Sequence, residues 1–176
     1  MWAGNQATPS IPVTKMDNPK VELRASPLGG TGVFAKELIP AGELIAEFDG
    51  AIYPFDYAGW TPDLLNHAVQ FERFRFRDSN GIARYVNHSC EPNCGIKGLF
   101  QIVTMRPIAA GEELAYDYEM IEDSDWWRMQ CQCGSPSCRK VIGAYRNLPS
   151  EVRARYRGFI SEWLIHSEEE SVAACA

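Results

Sequence analysis

The spacing of the cysteines constrains this chain more than any other feature of its sequence. Five of the six cysteines fall in two tight groups, Cys90 with Cys94 and the trio Cys131, Cys133 and Cys138. Cysteines one residue apart are badly placed to bridge each other as a disulfide, whereas a C-x-C-x4-C run with a turn inside it is typical of a thiolate metal site. The grouping therefore predicts a structural zinc ion that joins the second group to an earlier part of the chain.

Three thiolates leave a tetrahedral zinc site one ligand short. The residues alone leave the fourth ligand open: Cys94 and Cys90 are near candidates, and His88 and His67 are weaker ones. Free thiols or disulfides are the alternative to a metal site. Cys175 stands alone in the tail and is expected to be inert.

The length and composition of the chain allow one globular domain. It has 176 residues, of which 45% are hydrophobic and 23% charged, as in a soluble domain with a core. No apolar run approaches the roughly 20 residues that span a bilayer, and the N-terminus lacks a secretion signal. We therefore expect an intracellular protein with no membrane partner. The formal net charge of -6 disfavours a generally basic nucleic-acid surface and favours a basic partner.

Short apolar runs broken by glycine and proline dominate from Val21 onward and predict a mainly β fold of short strands with few short helices. Helical spacing appears only after Pro149, where it predicts a C-terminal helix. This helix is expected to pack on the domain, with a homodimer contact as the alternative. The expected divisions are a flexible arm (1–20), the main domain (21–125), the zinc segment (126–145), the C-terminal helix (146–166) and an acidic tail (167–176).

Two further segments place polar groups among apolar neighbours. In the segment 84–94, Asn87 and His88 offer donors and acceptors for a polar ligand, although a satisfied structural pair is the plainer interpretation. Tyr116 and Tyr118 alternate along a predicted strand and so face one side, where two phenols line one pocket. A core or interface contact is the alternative for these tyrosines.

Taken in order, these motifs resemble those of the SET-domain protein lysine methyltransferases over about residues 22–143. The run 30–35, Gly-Thr-Gly-Val-Phe-Ala, is similar to the family's first glycine motif. The run 87–94 resembles its signature loop, 112–118 resembles its catalytic strand, and 131–138 resembles its post-SET zinc motif. A lone glycine pair is a weak signal, but four motifs in the family's order are a specific one.

The resemblance implies a lysine methyltransferase that uses S-adenosylmethionine and has the family's β-clip-like SET fold, in which the catalytic strand threads under the signature loop like a knot. It implies that Tyr118 is the catalytic tyrosine. Tyr116 stands where the family carries Tyr or Phe, which implies mainly monomethylation. The implied cofactor-binding residues are Gly30, Gly32, Arg84, Tyr85, Asn87 and His88. The implied zinc ligands are Cys94, Cys131, Cys133 and Cys138.

Two charged stretches of the sequence indicate which kind of partner the chain binds. Seven carboxylates and no basic residue lie from Glu112 to Asp125. This run is either a solvated face or an acidic lip for a basic, lysine-containing peptide such as a histone tail. Trp126 and Trp127 either pack that peptide or are buried in the hinge to the zinc segment. The basic stretch 139–157 is more simply the polar side of the last helix than a weak contact with nucleosomal DNA.

A zinc-stapled module that binds a histone peptide without methylating it is the rival hypothesis. The retained Tyr118, Asn87 and His88 argue against it. For either function we expect the protein to be located in the nucleus if the host is eukaryotic. Otherwise we expect it in the cytoplasm or as a bacterial effector.

Overall fold

The computed structural model describes residues 18–174, with side chains up to residue 169. Within this range the chain forms short strands and few helices, which confirms the predicted mainly β fold class. The strands are β1 (Val21–Ala25), β2 (Thr31–Ala35), β3 (Leu44–Glu47), β4 (Ile52–Pro54), β5 (Val69–Glu72), β6 (Arg75–Arg77), β7 (Asn87–His88), β8 (Cys94–Lys97), β9 (Gln101–Thr104), β10 (Glu113–Tyr116), β11 (Met129–Gln130) and β12 (Val141–Ile142). The helices are α1 (Pro62–His67), α2 (Ser150–Arg155) and α3 (Glu162–Ala174).

Most of the predicted N-terminal arm, and Cys175 as well, lie outside the described residues. The last residues of the arm are held in place. The Asn18 side chain is buried and donates to the carbonyl of Leu44 at 2.8 Å, and the Lys20 ammonium pairs with Glu43 at 2.7 Å. The main domain is therefore fixed from Asn18 onward.

Strand β10 lies between two parts of the chain that are far apart in sequence. It pairs antiparallel with β2 and parallel with β7 in a sheet of order β1-β2-β10-β7. The amides of Ser89 and Asn93 also donate to the carbonyls of Tyr116 and Ala115, both at 3.1 Å. The segment 87–93 thus passes around the end of β10, as the predicted threading requires.

The other strands form smaller antiparallel sheets around this one. They have the orders β3-β9-β8, β4-β6-β5 and β11-β12. The β4-β6-β5 sheet and α1 belong to the insert, residues 53–80. The β11-β12 pair belongs to the zinc segment. The candidate site described below lies at the end of β10, where Tyr116 borders a cavity.

The core explains why β10 is held so precisely. Leu114 is fully buried opposite Val33 of β2, and Ile45 and Ile102 are fully buried in the neighbouring sheet. Burial of each such side chain contributes about 1.5–3 kcal/mol. Because side chains alternate along a strand, packing of Leu114 fixes the side to which Tyr116 points.

The C-terminal segment forms two helices rather than the single predicted helix over 146–166. Gly158, with φ of 82°, lies in the left-handed region and breaks the helical course between α2 and α3. Helix α3 extends to Ala174, so most of the predicted acidic tail is helical. The apolar stripe packs into the core through Val152, Tyr156, Ile160, Trp163 and Leu164. The predicted packing of this segment on the domain is therefore what the structure shows, and these residues do not support the alternative of a homodimer contact.

In the part of the chain that the structure describes, no helix has both the length and the apolar character needed to cross a membrane.

Candidate active site

Tyr116 and Tyr118 line one cavity, as their alternation predicts. Tyr116 is the last residue of β10, and Tyr118 begins a short 3-10 turn, Tyr118–Met120. Their ring centroids are 5.0 Å apart and the rings are tilted by 52°. Both rings border a cavity of about 450 Å³. The structure therefore places both tyrosines at a pocket, while Tyr116 also belongs to the hydrophobic core and Tyr118 packs against it.

Aromatic rings from three parts of the chain make most of the cavity wall. The insert contributes Phe55, Trp60 and Phe76, and the hinge to the zinc segment contributes Trp126 and Trp127. The Trp126 ring lies 5.7 Å from Phe55 and 6.2 Å from Phe76, centroid to centroid, and 53% of Trp126 is exposed. Trp126 is therefore not buried in the hinge but lies at the surface beside the cavity.

The hydroxyl of Tyr118 is fixed and protonated. It donates to the backbone carbonyl of Val86 at 3.3 Å, and the Tyr118 amide donates to Nδ1 of His88 at 3.2 Å. Burial raises the pKa of Tyr118 well above its ordinary value, because a phenolate loses its solvation there. Tyr118 thus offers a neutral hydroxyl, suited to orient a polar group rather than to accept a proton.

The signature loop and the first glycine motif meet at Asn87. Its side-chain amide donates to Glu113 Oε1 at 2.7 Å and to the carbonyl of Thr31 at 3.3 Å. Gly32 lies directly beside this pair, where a Cβ atom would clash with the Glu113 carboxylate and approach Asn87 Nδ2 to 3.0 Å. Gly30, with φ of 67°, has open space on its Cβ side. Four of the predicted cofactor residues, Gly30, Gly32, Asn87 and His88, thus belong to one junction of β2, β7 and β10.

Arg84 and Tyr85 have a different setting from the other predicted cofactor residues. The Arg84 guanidinium pairs with Asp63 of α1 and lies 3.4 Å from Asp78, which follows β6. The Tyr85 ring stands 6.1 Å from the ring of His67. Arg84 borders the cavity, but its ion pairs mainly tie the insert to the signature loop.

Cys90 of the signature loop, not Cys94, joins the cysteines of the zinc segment. Its Sγ atom lies 3.7 Å from Sγ of Cys131, and a ligand atom each from His88, Cys90, Cys131 and Cys133 lie within 4.8 Å of one another. Cys138 packs against the same cluster, with its Sγ atom 4.0 Å from the carbonyl of Cys131. The fold therefore brings together four cysteines and one histidine.

Cys94 is held apart from this cluster by the register of β8. It lies in the main hydrophobic core, fully buried, and pairs with Thr104 of β9. Burial raises the pKa of its thiol to about 12, so it remains a neutral thiol. The structure thus requires a correction of the predicted ligand set at this position.

The two ring nitrogens of His88 contact different groups, Cys90 of the cysteine cluster and the backbone amide of Tyr118. Burial lowers the pKa of His88 to about 4, so the imidazole is neutral. Its Nδ1 accepts a hydrogen bond from the Tyr118 amide, which places the ring proton on Nε2, 3.4 Å from Cys90 Sγ. A protonated nitrogen donates to a thiolate but does not bind a metal. His88 therefore positions Cys90 while the four cysteines supply the ligand sulfurs.

Sequence reasoning missed a buried ion pair that links the cysteine cluster to the catalytic strand. Arg139, next to Cys138, donates to both carboxylate oxygens of Asp117, at 2.8 and 2.7 Å, and to Glu119 at 2.7 Å. Tyr156 donates to Asp117 at 2.9 Å from the opposite side. Asp117 lies between the two tyrosines in sequence. The alternation that puts both tyrosines on one side was the signal that Asp117 faces the other.

The acidic run is largely neutralised within the domain. Of its seven carboxylates, Glu112 pairs with Arg106, and Asp123 and Asp125 pair with Arg146. Together with the Arg139 contacts, these pairs account for five members of the run. They do not form the open acidic lip that the sequence allowed. The same pairs occupy two arginines of the basic stretch 139–157, so a contact with DNA stays a prediction.

Comparison with known proteins identifies the family of this chain. A family model described as "SET domain" matches residues 30–119. The chain is 32% identical over 143 residues to an H3 lysine-4-specific histone-lysine N-methyltransferase of Mycosarcoma maydis, and 31% identical over 157 residues to histone-lysine N-methyltransferase 2B of Homo sapiens. These matches cover 70% and 73% of this chain but only 10% and 5% of the relatives. The chain thus spans a small part of their length.

Two solved structures with a similar fold are complexes of KRYPTONITE. One, with mCHG DNA and SAH, has a TM-score of 0.56, and another, with mCHH DNA, an H3(1-15) peptide and SAH, has a TM-score of 0.54. Both are 26% identical and cover 69% of this chain, and this chain covers 28% and 29% of theirs.

Proposed function

Because the chain belongs to the SET domain family, we propose that it is a lysine N-methyltransferase that uses S-adenosylmethionine and acts on a histone tail. The observation that carries this proposal is the neutral hydroxyl of Tyr118 at the wall of an aromatic cavity. The proposed site of action is chromatin, and in a eukaryotic host the nucleus, as the names of the relatives support.

The residues at the junction of β2, β7 and β10 fit S-adenosylmethionine. Gly30 leaves open space for a ligand to approach the backbone, and Asn87 places an amide beside the Glu113 carboxylate. We assign cofactor binding to Gly30, Gly32, Asn87 and the backbone of His88. Arg84 and Tyr85 are assigned to shaping the site, because Arg84 is occupied by its ion pairs.

The chain's own part in methyl transfer is to desolvate and to align. S-adenosylmethionine, when bound, supplies an electrophilic methyl group on a positively charged sulfur. A lysine has a reference pKa of ~10.4, so only about four in ten thousand are neutral at pH 7. The aromatic wall of the cavity favours the neutral amine by excluding water. The Tyr118 hydroxyl then orients the reacting groups for in-line attack, which is catalysis by positioning.

We further propose that Cys90, Cys131, Cys133 and Cys138 hold one structural zinc ion. Four sulfurs close a tetrahedral site and leave no position for a reacting water. The Arg139 amide donates to Cys90 Sγ at 3.4 Å, and the Cys133 amide donates to Cys131 Sγ at 3.5 Å, which stabilises thiolates. We keep 21–125 as the SET domain and 126–145 as the zinc segment, with β11 and β12 in the latter.

The size of the Tyr116 side chain sets the proposed product. Tyr116 is buried beside Tyr118, and its hydroxyl fills room that a second methyl group needs. We expect Tyr116→Phe to raise the ratio of dimethyl- and trimethyl-lysine to monomethyl-lysine by about tenfold, as measured by mass spectrometry of the product. Wild-type enzyme that makes trimethyl-lysine as readily as monomethyl-lysine would refute this role.

The crowding at Gly32 gives a test of the cofactor site. In Gly32→Ala the Glu113 carboxylate must move away, which breaks its hydrogen bond with Asn87. We expect the affinity for S-adenosylmethionine to fall about tenfold, or about 1.4 kcal/mol, by calorimetry. Gly111→Ala is the control, because Gly111 has φ of 83° but no atom near its Cβ position. Gly111→Ala is expected to lower the melting temperature but to leave the affinity for S-adenosylmethionine unchanged. If both variants bind S-adenosylmethionine with equal affinity, the assignment of Gly32 to the cofactor site is wrong.

Calorimetry on the wild-type protein separates the enzyme from its rival. A histone-binding module without methyl transfer needs the cavity but not the junction at Asn87. We expect S-adenosylmethionine to bind with one site per chain. Absence of binding at any attainable concentration would favour the binding module.

A further inference from the structure

One carboxyl group borders the aromatic cavity without belonging to the ion pairs of the acidic run. Glu122 is buried and lines the cavity with Tyr116 and Tyr118. The ion pairs of residues 112–125, as far as the structure describes them, engage the carboxylates of Glu112, Asp117, Glu119, Asp123 and Asp125. Glu122 stands apart from these pairs.

The Glu122 carboxyl is held in place by neutral donors. The Ser124 amide donates to Oε1 at 2.7 Å, and the Ser124 hydroxyl donates to the same oxygen. The Glu122 carbonyl accepts from the Tyr145 amide at 2.7 Å. These contacts fix the side chain and its loop but bring no positive charge. The Arg84 guanidinium borders the same cavity, but it is paired with Asp63 and Asp78.

A buried carboxylate surrounded by aromatic rings is chemically suited to a cation. Ring faces attract ammonium groups, and a carboxylate that is poorly solvated gains more from an opposite charge than one in water. Tyr116, Tyr118, Trp126 and Trp127 supply the rings of this cavity.

We propose that Glu122 receives the ε-ammonium group of the substrate lysine as this side chain enters the aromatic cavity, before the amine loses the proton that methyl transfer requires it to lose. The inference rests on the proposed function, because that function makes the cavity the lysine channel. Glu122 is then the residue that selects a positively charged side chain over an apolar one of the same length. It replaces the open acidic lip as the source of charge complementarity at this site.

Burial raises the pKa of Glu122 to about 7, which fixes the conditions of the test. At pH 8.5 the carboxylate is ionised, whereas an alkylammonium with a pKa near that of lysine, ~10.4, keeps its charge. Both partners of the proposed contact are therefore charged at that pH.

The test compares the affinities of the protein for n-hexylammonium chloride and n-hexanol at pH 8.5. Each ligand is titrated into the protein, and binding is followed by the fluorescence of the cavity tryptophans. In wild type we expect the ammonium to bind at least about tenfold more tightly than the alcohol. Glu122→Gln keeps an Oε1 acceptor for Ser124 but loses the charge, so the preference should vanish while the affinity for hexanol is unchanged. Asp125→Asn removes one carboxylate charge from an exposed position in the same loop and should keep the preference.

Three results would overturn the proposal. They are a wild-type protein with no preference for the ammonium, a Glu122→Gln variant that retains the preference, and a parallel loss of hexanol binding, which would show a merely structural role. The titration requires no methyl transfer. An ammonium preference in a protein that methylates no histone would therefore contradict the proposed function and leave the Glu122 site standing.

Discussion

Tyr118→Phe is expected to lower the rate of methyl transfer about a hundredfold, which corresponds to about 2.7 kcal/mol of transition-state stabilisation. The substitution removes the hydroxyl that Val86 holds but keeps the ring that packs against His88 at 5.3 Å. The affinity for S-adenosylmethionine should change little, because the hydroxyl acts on the reacting groups. Single-turnover methylation of core histones, with cofactor affinity measured in parallel, checks both expectations.

Tyr145→Phe is the matched control for this prediction. Its hydroxyl donates to Glu168 at 3.0 Å, away from the cavity, and the same atom is removed from the same residue type. Its rate should stay within about twofold of wild type. Undiminished methylation by Tyr118→Phe would rule out the role given to that tyrosine.

Cys90→Ala is expected to abolish zinc binding, whereas Cys94→Ala is expected to retain about one zinc per chain. Cys90 lies 3.7 Å from Cys131, and Cys94 lies in the core. Because binding of a structural metal is coupled to folding, loss of zinc should lower the melting temperature by about 10 °C, or about 3 kcal/mol. Elemental analysis and thermal melting measure the two effects.

Cys94→Ala tests both the zinc site and the replacement of Cys94 by Cys90 in its ligand set. It removes one buried sulfur and should cost about 1–2 kcal/mol through the space left behind, with methylation largely kept. If Cys94→Ala instead loses zinc while Cys90→Ala retains it, the ligand set implied by the family resemblance is right and the one inferred from the fold is wrong.

The parts of the site that depend on local sequence were predictable. Strand alternation places Tyr116 and Tyr118 on one side, and the structure brings their rings together. The C-x-C-x4-C spacing indicates a sulfur cluster, and Cys131 and Cys133 form one with Cys90. Each of these patterns spans fewer than about ten residues, so it depends little on how distant segments meet.

The parts that depend on tertiary contacts were not predictable. Cys90 and Cys94 are four residues apart, and only the register of β8 decides that Cys94 turns into the core. Charge counting likewise could not show that Arg139 and Arg146 neutralise much of the acidic run. The insert carries much of the cavity wall, but its ring contacts arise only when it packs against residues after Met120.

The most direct test of the account is mass spectrometry of core histones incubated with the wild-type protein and S-adenosylmethionine. The account predicts a mass increase of one methyl group on a lysine of a histone tail, with little further addition. Histones that remain unmodified, when calorimetry shows that the cofactor binds, would contradict the central claim that this domain is a histone-lysine methyltransferase.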